Sequence, residues 1–131
     1  MFPESEDTSW PAAGMDRRRF PRKFISGTGH LLVPGQPPIE VHTQDISLGG
    51  VGVIAPRPFP HETPCRLRFA LSRESYGMDF ITVPVRVVHC VLSGREYGYI
   101  LGLEYHNMTG SVEEVVKKYM SAKGGALVIG D

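Results

Sequence analysis

Apolar and polar residues alternate along most of the chain between residues 24 and 105. A period of two is typical of strands that bury one face, and stretches containing Pro, Gly and Ser separate the segments. No helical pattern lies between them, which excludes parallel strands with crossover helices and predicts an antiparallel barrel or sandwich. The alternating positions of the six predicted strands are Ile25, Leu31 and Val33; Ile39, Val41 and Thr43; Val51 and Val53; Cys65, Leu67, Phe69 and Leu71; Ile81, Val83, Val85 and Val87; and Tyr99, Leu101, Leu103 and Tyr105.

One segment near the C-terminus has helical spacing instead. Ser111 and Glu114 stand three residues apart, as in a capping box, and Gly124 and Gly125 are expected to end the helix. This helix is predicted to lay its apolar stripe across the barrel. Residues 124–131 are predicted to be a tail that packs back, joins a dimer interface or frays. The stripe consists of Val112, Val115, Val116, Tyr119 and Met120.

The N-terminal region changes character abruptly. Residues 1–15 are acidic and rich in Pro and Ser, and we predict a disordered tail there. The domain itself is expected to span residues 16–123. It begins with a basic stretch, in which Pro21 opposes a regular helix and favours an extended arm. The cations of this arm are Arg17, Arg18, Arg19, Arg22 and Lys23.

Composition narrows the functional class. The chain has 131 residues, a length that fits one domain. Its formal net charge is zero, so no overall electrostatic field attracts it to DNA or to anionic membranes. Cys65 and Cys90 are far apart, and the histidines lack metal-ligand spacing, so neither a disulfide framework nor a metal site is predicted. The start lacks a signal-peptide pattern, and no apolar run reaches membrane-spanning length. We expect a soluble cytoplasmic protein with reduced thiols and no membrane partner.

Two local features carry candidate chemistry, the basic arm and the turn that follows the second predicted strand. The guanidinium groups of arginines bind phosphate, pair with the O6 and N7 edge of guanine, and stack on purines. In the turn, the Asp45 carboxylate is suited to accept from guanine N1–H and N2–H groups, and Ser47 can donate. Gly49 and Gly50 remove side chains where a ligand would approach the backbone. Together these residues predict a site for guanine and phosphate.

These two features resemble the two-part signature of PilZ domains, which are bacterial receptors for cyclic di-GMP. The first part is Arg18-x-x-x-Arg22, and the second is Asp45-x-Ser47-x-x-Gly50. Val85-Arg86-Val87-Val88 and Gly102-Leu103-Glu104-Tyr105 resemble late strands of the family, so the resemblance covers residues 16–121. It implies a six-stranded antiparallel β-barrel with one C-terminal α-helix and a flexible N-terminal arm.

The resemblance also implies roles for individual residues. Arg18 and Arg22 would hold phosphates and pair with or stack on guanines, Asp45 and Ser47 would read guanine edges, and Gly50 would allow close packing. Arg17, directly before the first motif arginine, would favour an intercalated ligand dimer. The chain is similar to stand-alone members, which need no cofactor beyond the ligand and act on a protein effector in motility, exopolysaccharide or biofilm pathways. We expect cyclic di-GMP to order the arm, residues 16–23.

Three other functions compete with this interpretation. A nonspecific nucleic-acid-binding barrel could use the same arm, although zero net charge and the lack of an aromatic stacking stripe argue against it. A PilZ-like adaptor that binds no ligand is disfavoured by the intact motifs. An enzyme is not predicted, because the sequence offers no nucleophile–base pair, carboxylate dyad or metal set.

Overall fold

Strands account for most of the computed structural model, which describes residues 20–73, 76–95, 98–122 and 127–128. The alternating segments form β-strands, and the segment with helical spacing forms an α-helix. In chain order, the elements are β1 (Arg22–Leu32), β2 (Ile39–Ile46), β3 (Gly50–Ala55), β4 (Pro64–Ser72), β5 (Met78–Ser93), β6 (Gly98–Tyr105), α1 (Gly110–Ser121) and β7 (Leu127–Val128).

The first six strands close into an antiparallel barrel. The sheet runs β2-β3-β6-β5-β4-β1, and β1 also pairs with β2, which joins the two ends. Closure removes the exposed strand edges that would otherwise pair with other chains. The predicted six-stranded barrel with a C-terminal helix is therefore confirmed.

The barrel interior is filled by the apolar members of the alternating pattern. Each large aliphatic side chain that is fully buried stabilises the fold by about 1.5–3 kcal/mol relative to an exposed one. The interior residues that are essentially inaccessible to solvent include Leu31, Val41, Ile46, Val51, Val53, Leu67, Val83, Val85, Val87, Leu101 and Leu103.

Helix α1 begins earlier than predicted. Its N-cap is Thr109, which has extended backbone angles and accepts a hydrogen bond from the Val112 N–H at 3.5 Å. The predicted Ser111 cap is therefore wrong, because Ser111 already lies in the first helical turn and is exposed. The predicted stripe is confirmed: Val116 is buried, and the other stripe residues pack partly against the core. Gly124 and Gly125, the predicted stop, lie outside the described residues.

The end of the chain returns to the barrel. Leu127 and Val128 form β7, which pairs antiparallel with Lys23 and Arg22 at the start of β1. Of the three outcomes expected for residues 124–131, this pairing corresponds to packing back on the domain. No helix in the described ranges is both long and apolar enough to cross a membrane.

Two of the three register shifts in the described strands lie near the end of β2, and the third lies between Val87 and His89 in the β5–β6 pairing. The β1–β2 register shifts between Phe24 and Gly27, and the β2–β3 register shifts between Thr43 and Asp45. Such bulges bend a strand and re-aim its side chains. Asp45 therefore lies at a point where both neighbouring ladders depart from regular pairing.

Gly50 is required by the approach of β3 to β6. A Cβ atom there would lie 2.1 Å from the Leu103 carbonyl oxygen, so Gly50→Ala must push the two strands apart. We expect a loss of about 1–3 kcal/mol or more in the free energy of unfolding, measured by urea denaturation. Gly94→Ala is the control, since no atom lies within 4 Å of its added Cβ. Equal stability of the two variants would contradict this role of Gly50.

Candidate functional site

Arg22 of the first motif and Asp45 of the second meet at one corner of the barrel. Arg22 begins β1 and Asp45 lies near the end of β2, and the two strands pair so that Asp45 opposes Phe24. Arg22 Nη1 lies 4.0 Å from Asp45 Oδ2, and the side chains are only 13% and 18% exposed. Arg17 and Arg18, the other predicted arginines of the site, lie outside the described residues.

The turn after β2 is held by its own hydrogen bonds. The Ser47 N–H donates to the Gly50 carbonyl at 2.9 Å, and Ser47 Oγ accepts from the Gly49 and Gly50 N–H groups at 3.0 and 3.2 Å. Ser47 is 3% exposed, so its hydroxyl serves mainly to fix the turn in this structure. The predicted contact of Ser47 with a guanine edge stays a prediction.

Tyr105 fastens the same turn from β6. Its hydroxyl donates to the Ser47 carbonyl at 3.0 Å, and its N–H donates to the Gly49 carbonyl at 3.2 Å. Burial raises the pKa of the Tyr105 hydroxyl, which keeps it protonated as a donor. The alternating pattern predicted Tyr105 only as the last residue of the sixth strand. The hydroxyl group of a tyrosine at the end of a half-buried strand could have indicated this role, because such a hydroxyl usually has a hydrogen-bond partner.

Phe20 of the basic arm covers Gly49. A Cβ atom at Gly49 would lie 3.2 and 3.3 Å from two carbons of the Phe20 ring. The predicted open backbone at Gly49 is therefore in contact with the arm itself. This contact and the approach of Arg22 to Asp45 bring the arm and the turn together at two points.

Gly52 leaves the space that the Asp45 carboxylate occupies. It opposes Asp45 across the β2–β3 ladder, and a Cβ atom there would lie 2.7 Å from Asp45 Oδ1. On its other side, Gly52 opposes Gly102 in β6. Two adjacent strands thus lack side chains beside the carboxylate. Gly52 was not predicted as a site residue, although the spacing Gly50-Val51-Gly52 offered a signal in the sequence.

Asp45 is held in an environment that disfavours its charge. Burial raises the pKa of its carboxyl group, while the charge of Arg22 and the nearby Gly52 N–H act to lower it. Within the described part of the chain, Oδ1 is buried and accepts no hydrogen bond of ordinary geometry. A buried acceptor without a donor costs free energy, so a ligand edge carrying N–H groups would be stabilised here.

Lys23 does not belong to the basic arm as predicted. It is 3% exposed, and its Nζ donates to the Tyr119 and Ala122 carbonyls, each at 2.7 Å. Neighbouring residues on a strand point to opposite faces, so Lys23 turns toward the helix where Arg22 turns toward Asp45. The expected mobile arm of residues 16–23 is thus wrong for Arg22 and Lys23, which both lie in β1 and pair with β7.

Other charged groups near the barrel rim are already engaged. Arg86 pairs with Glu104 at 2.6 Å and with Glu62 at 3.1 Å, and these contacts raise the pKa of the guanidinium, with Glu104 the main cause. Arg86 therefore does not extend the basic site. Among the described residues, no cluster of His, Cys, Asp and Glu could hold a metal ion.

A closed six-stranded barrel, a C-terminal helix and two motifs joined at one corner define the class of this protein. The chain belongs to the PilZ domain family, and the family model matches residues 16–122. No curated protein matches the chain.

Solved structures with the same fold include proteins from three bacteria. The inhibitor of motility MotI/DgrA of Bacillus subtilis aligns with a TM-score of 0.68 and 19% identity over 80% of this chain and 50% of that one. This chain therefore spans half the length of that protein. The PilZ domain of Escherichia coli YcgR with c-di-GMP has a TM-score of 0.60 and 15% identity over 81% and 91% of the chains. Borreliella burgdorferi PlzA, in complex with c-di-GMP, has a TM-score of 0.50 and 13% identity over 84% and 41%.

Proposed function

We propose that this chain is a receptor for cyclic di-GMP, which it binds at the corner formed by the basic arm and the turn after β2. The observation that carries the proposal is the pairing of Arg22 with the Asp45 carboxylate, whose buried Oδ1 accepts no hydrogen bond of ordinary geometry within the described residues. Family membership and the c-di-GMP complexes of YcgR and PlzA support the choice of ligand.

The site divides its chemistry between bases and phosphates. The Asp45 carboxylate accepts from guanine N1–H and N2–H, which supplies the donors that its buried oxygen needs. Arg22, Arg18 and Arg17 neutralise the two phosphodiesters and stack on guanines, and Arg17 would lie between the bases of an intercalated ligand dimer.

Residues of the turn complete the proposed site. Ser47, Gly49 and Gly50 hold it in the conformation that faces the arm, and Ser47 also contacts a guanine edge. The bent turn needs its internal hydrogen bonds, so ligand contact by Ser47 would use its remaining hydrogen-bonding capacity.

In this proposal, the protein transmits the signal through ordering of the arm and catalyses no reaction. Before binding, the positive charges of Arg17, Arg18 and Arg19 repel one another, and two phosphate charges relieve that repulsion and order the part of the arm that precedes β1 over the barrel. The reorganised surface then meets a protein effector in the cytoplasm. Motility, exopolysaccharide synthesis and biofilm formation are the proposed pathways, and the name of MotI supports the first of them.

Replacing Arg22 tests the site directly. Arg22→Ala removes a charge-assisted contact, and we expect at least about tenfold weaker binding of cyclic di-GMP in isothermal titration calorimetry. Arg68→Ala is the control, because Arg68 is exposed on β4 and opposes His30, far along β1 from Arg22. Linear GMP-containing oligonucleotides as competitors distinguish a nonspecific nucleic-acid binder. Absence of saturable binding by the wild-type chain would refute the proposal.

Gly52→Ala tests the position of the Asp45 carboxylate without changing any charge. The added Cβ would meet Oδ1 at 2.7 Å, and the carboxylate can move only by leaving its place beside Gly52. We expect about tenfold weaker binding of cyclic di-GMP with a small change in melting temperature. In Gly27→Ala the added Cβ contacts only Thr43 Oγ1, at 3.8 Å, so it should bind as the wild type does. Equal affinity of both variants would show that the carboxylate is not a ligand contact.

A further inference from the structure

We propose that Lys23 is a positioning residue that couples the ligand site to the C-terminal end of α1, so that ligand binding and helix docking stabilise each other. The inference rests on the proposed ligand site, because it assigns to that site a connection with the C-terminal elements. Its physical basis is that two consecutive residues of β1 contact the two regions: Arg22 approaches Asp45 at the ligand site, and Lys23 donates to the end of α1.

Lys23 connects β1 to the last turn of α1 by three contacts. Its Nζ donates to the Tyr119 carbonyl and to the Ala122 carbonyl, both at 2.7 Å. The same nitrogen lies 4.9 Å from the centroid of the Tyr119 ring. These partners are 96 and 99 residues away in sequence, so the contacts join opposite ends of the domain.

The end of a helix is a natural partner for this ammonium group. The last carbonyls of an α-helix have no partner within the helix and carry partial negative charge, and a lysine offers three donors. Lys23 is 3% exposed, so the contact is shielded from water, where it is stronger than at the surface. One side chain thus holds the C-terminal end of α1 against the barrel.

This anchor matters because α1 is otherwise thinly packed. Val116 is its buried residue, and the rest of its apolar stripe is only partly covered. A helix with little buried area depends more on each specific contact that holds it. The docking of α1 should therefore respond to changes at Lys23.

The backbone of the same two residues holds β7. Arg22 pairs with Val128 and Lys23 pairs with Leu127. Across the strand, the Arg22 side chain approaches Asp45 at 4.0 Å. The first two residues of β1 therefore contact the ligand corner, the end of α1 and β7 at once.

Reciprocity follows from this arrangement. A ligand that fixes Arg22 restricts the start of β1, and thereby disfavours conformations in which Lys23 releases the helix. By linkage, a docked helix must favour ligand binding by the same factor. The surface formed by α1 and β7 would then change with the occupancy of the ligand site.

Hydrogen exchange on the full chain, followed by mass spectrometry with and without cyclic di-GMP, measures this coupling. In the wild type, we expect the ligand to slow exchange in residues 118–122 and 127–128 several-fold. Lys23→Met keeps a long side chain but removes the ammonium group. In this variant we expect the ligand-induced slowing to be lost, and the affinity measured by calorimetry to fall about fivefold.

Lys117→Met is the matched control, since Lys117 lies on the same helix, is exposed and, among the described residues, forms its ion pair with Glu113 on the helix surface. It should behave as the wild type in both measurements. If Lys23→Met does not unfold cooperatively, Lys23→Gln replaces it with the same expected results, because its shorter amide cannot reach both carbonyls. A merely structural lysine would change exchange in α1 without changing ligand affinity.

Two outcomes separate the coupling from the proposed function. If the wild type binds cyclic di-GMP but Lys23→Met binds equally well and the ligand leaves exchange in α1 unchanged, the coupling is wrong and the receptor function stands. If the wild type shows no saturable binding, the receptor function itself fails and the coupling fails with it.

Discussion

The pairing of β1 with both β2 and β4 is the constraint on which the rest of the structure depends. β1 joins β2 along most of its length and β4 near its far end, and this double pairing closes the sheet into a barrel. Closure also fixes where the basic arm leaves the domain. Arg22, the first residue of β1, is thereby placed against Asp45, and Lys23 against the end of α1.

Asp45 illustrates how a proposed binding site can reduce the stability of its own fold. Its carboxyl pKa is raised chiefly because burial disfavours the charge, and the Arg22 guanidinium offsets part of that cost. Since the folded state holds the proton more tightly than the unfolded state, this group contributes less to stability as the pH rises through its raised pKa. A site that needs a ligand to satisfy a buried acceptor is expected to be less stable without it.

Uncharged residues around Asp45 hold this corner of the barrel in place. Ser47 and Tyr105 hydrogen-bond the turn, Gly52 leaves room for the carboxylate, and Gly50 lets β3 approach β6. The site is therefore built largely from backbone and from missing side chains.

Much of the fold could be predicted from the sequence because alternation records directly which face of a strand is buried. Val83, Val85 and Val87 are an example: their period of two specified both the strand and its interior face. The two motifs likewise predicted Arg22 and Asp45 as members of one site, and the structure brings these two together. The roles of Lys23, Gly52 and Tyr105 depend on contacts between segments far apart in sequence, which a local pattern does not contain. The cap of α1 was missed because Thr109 and Ser111 are both good capping residues, and local sequence does not decide between them.

A double-mutant cycle on Arg22 and Asp45 most directly tests whether these two residues act on one ligand. Calorimetry would give the affinity for cyclic di-GMP of the wild type, Arg22→Ala, Asp45→Asn and the double variant. We expect the two losses to be non-additive by at least about 1 kcal/mol, as for residues in contact with a shared partner. Losses that add to within about 0.5 kcal/mol, or affinities that none of the substitutions changes, would contradict a common site at this corner of the barrel.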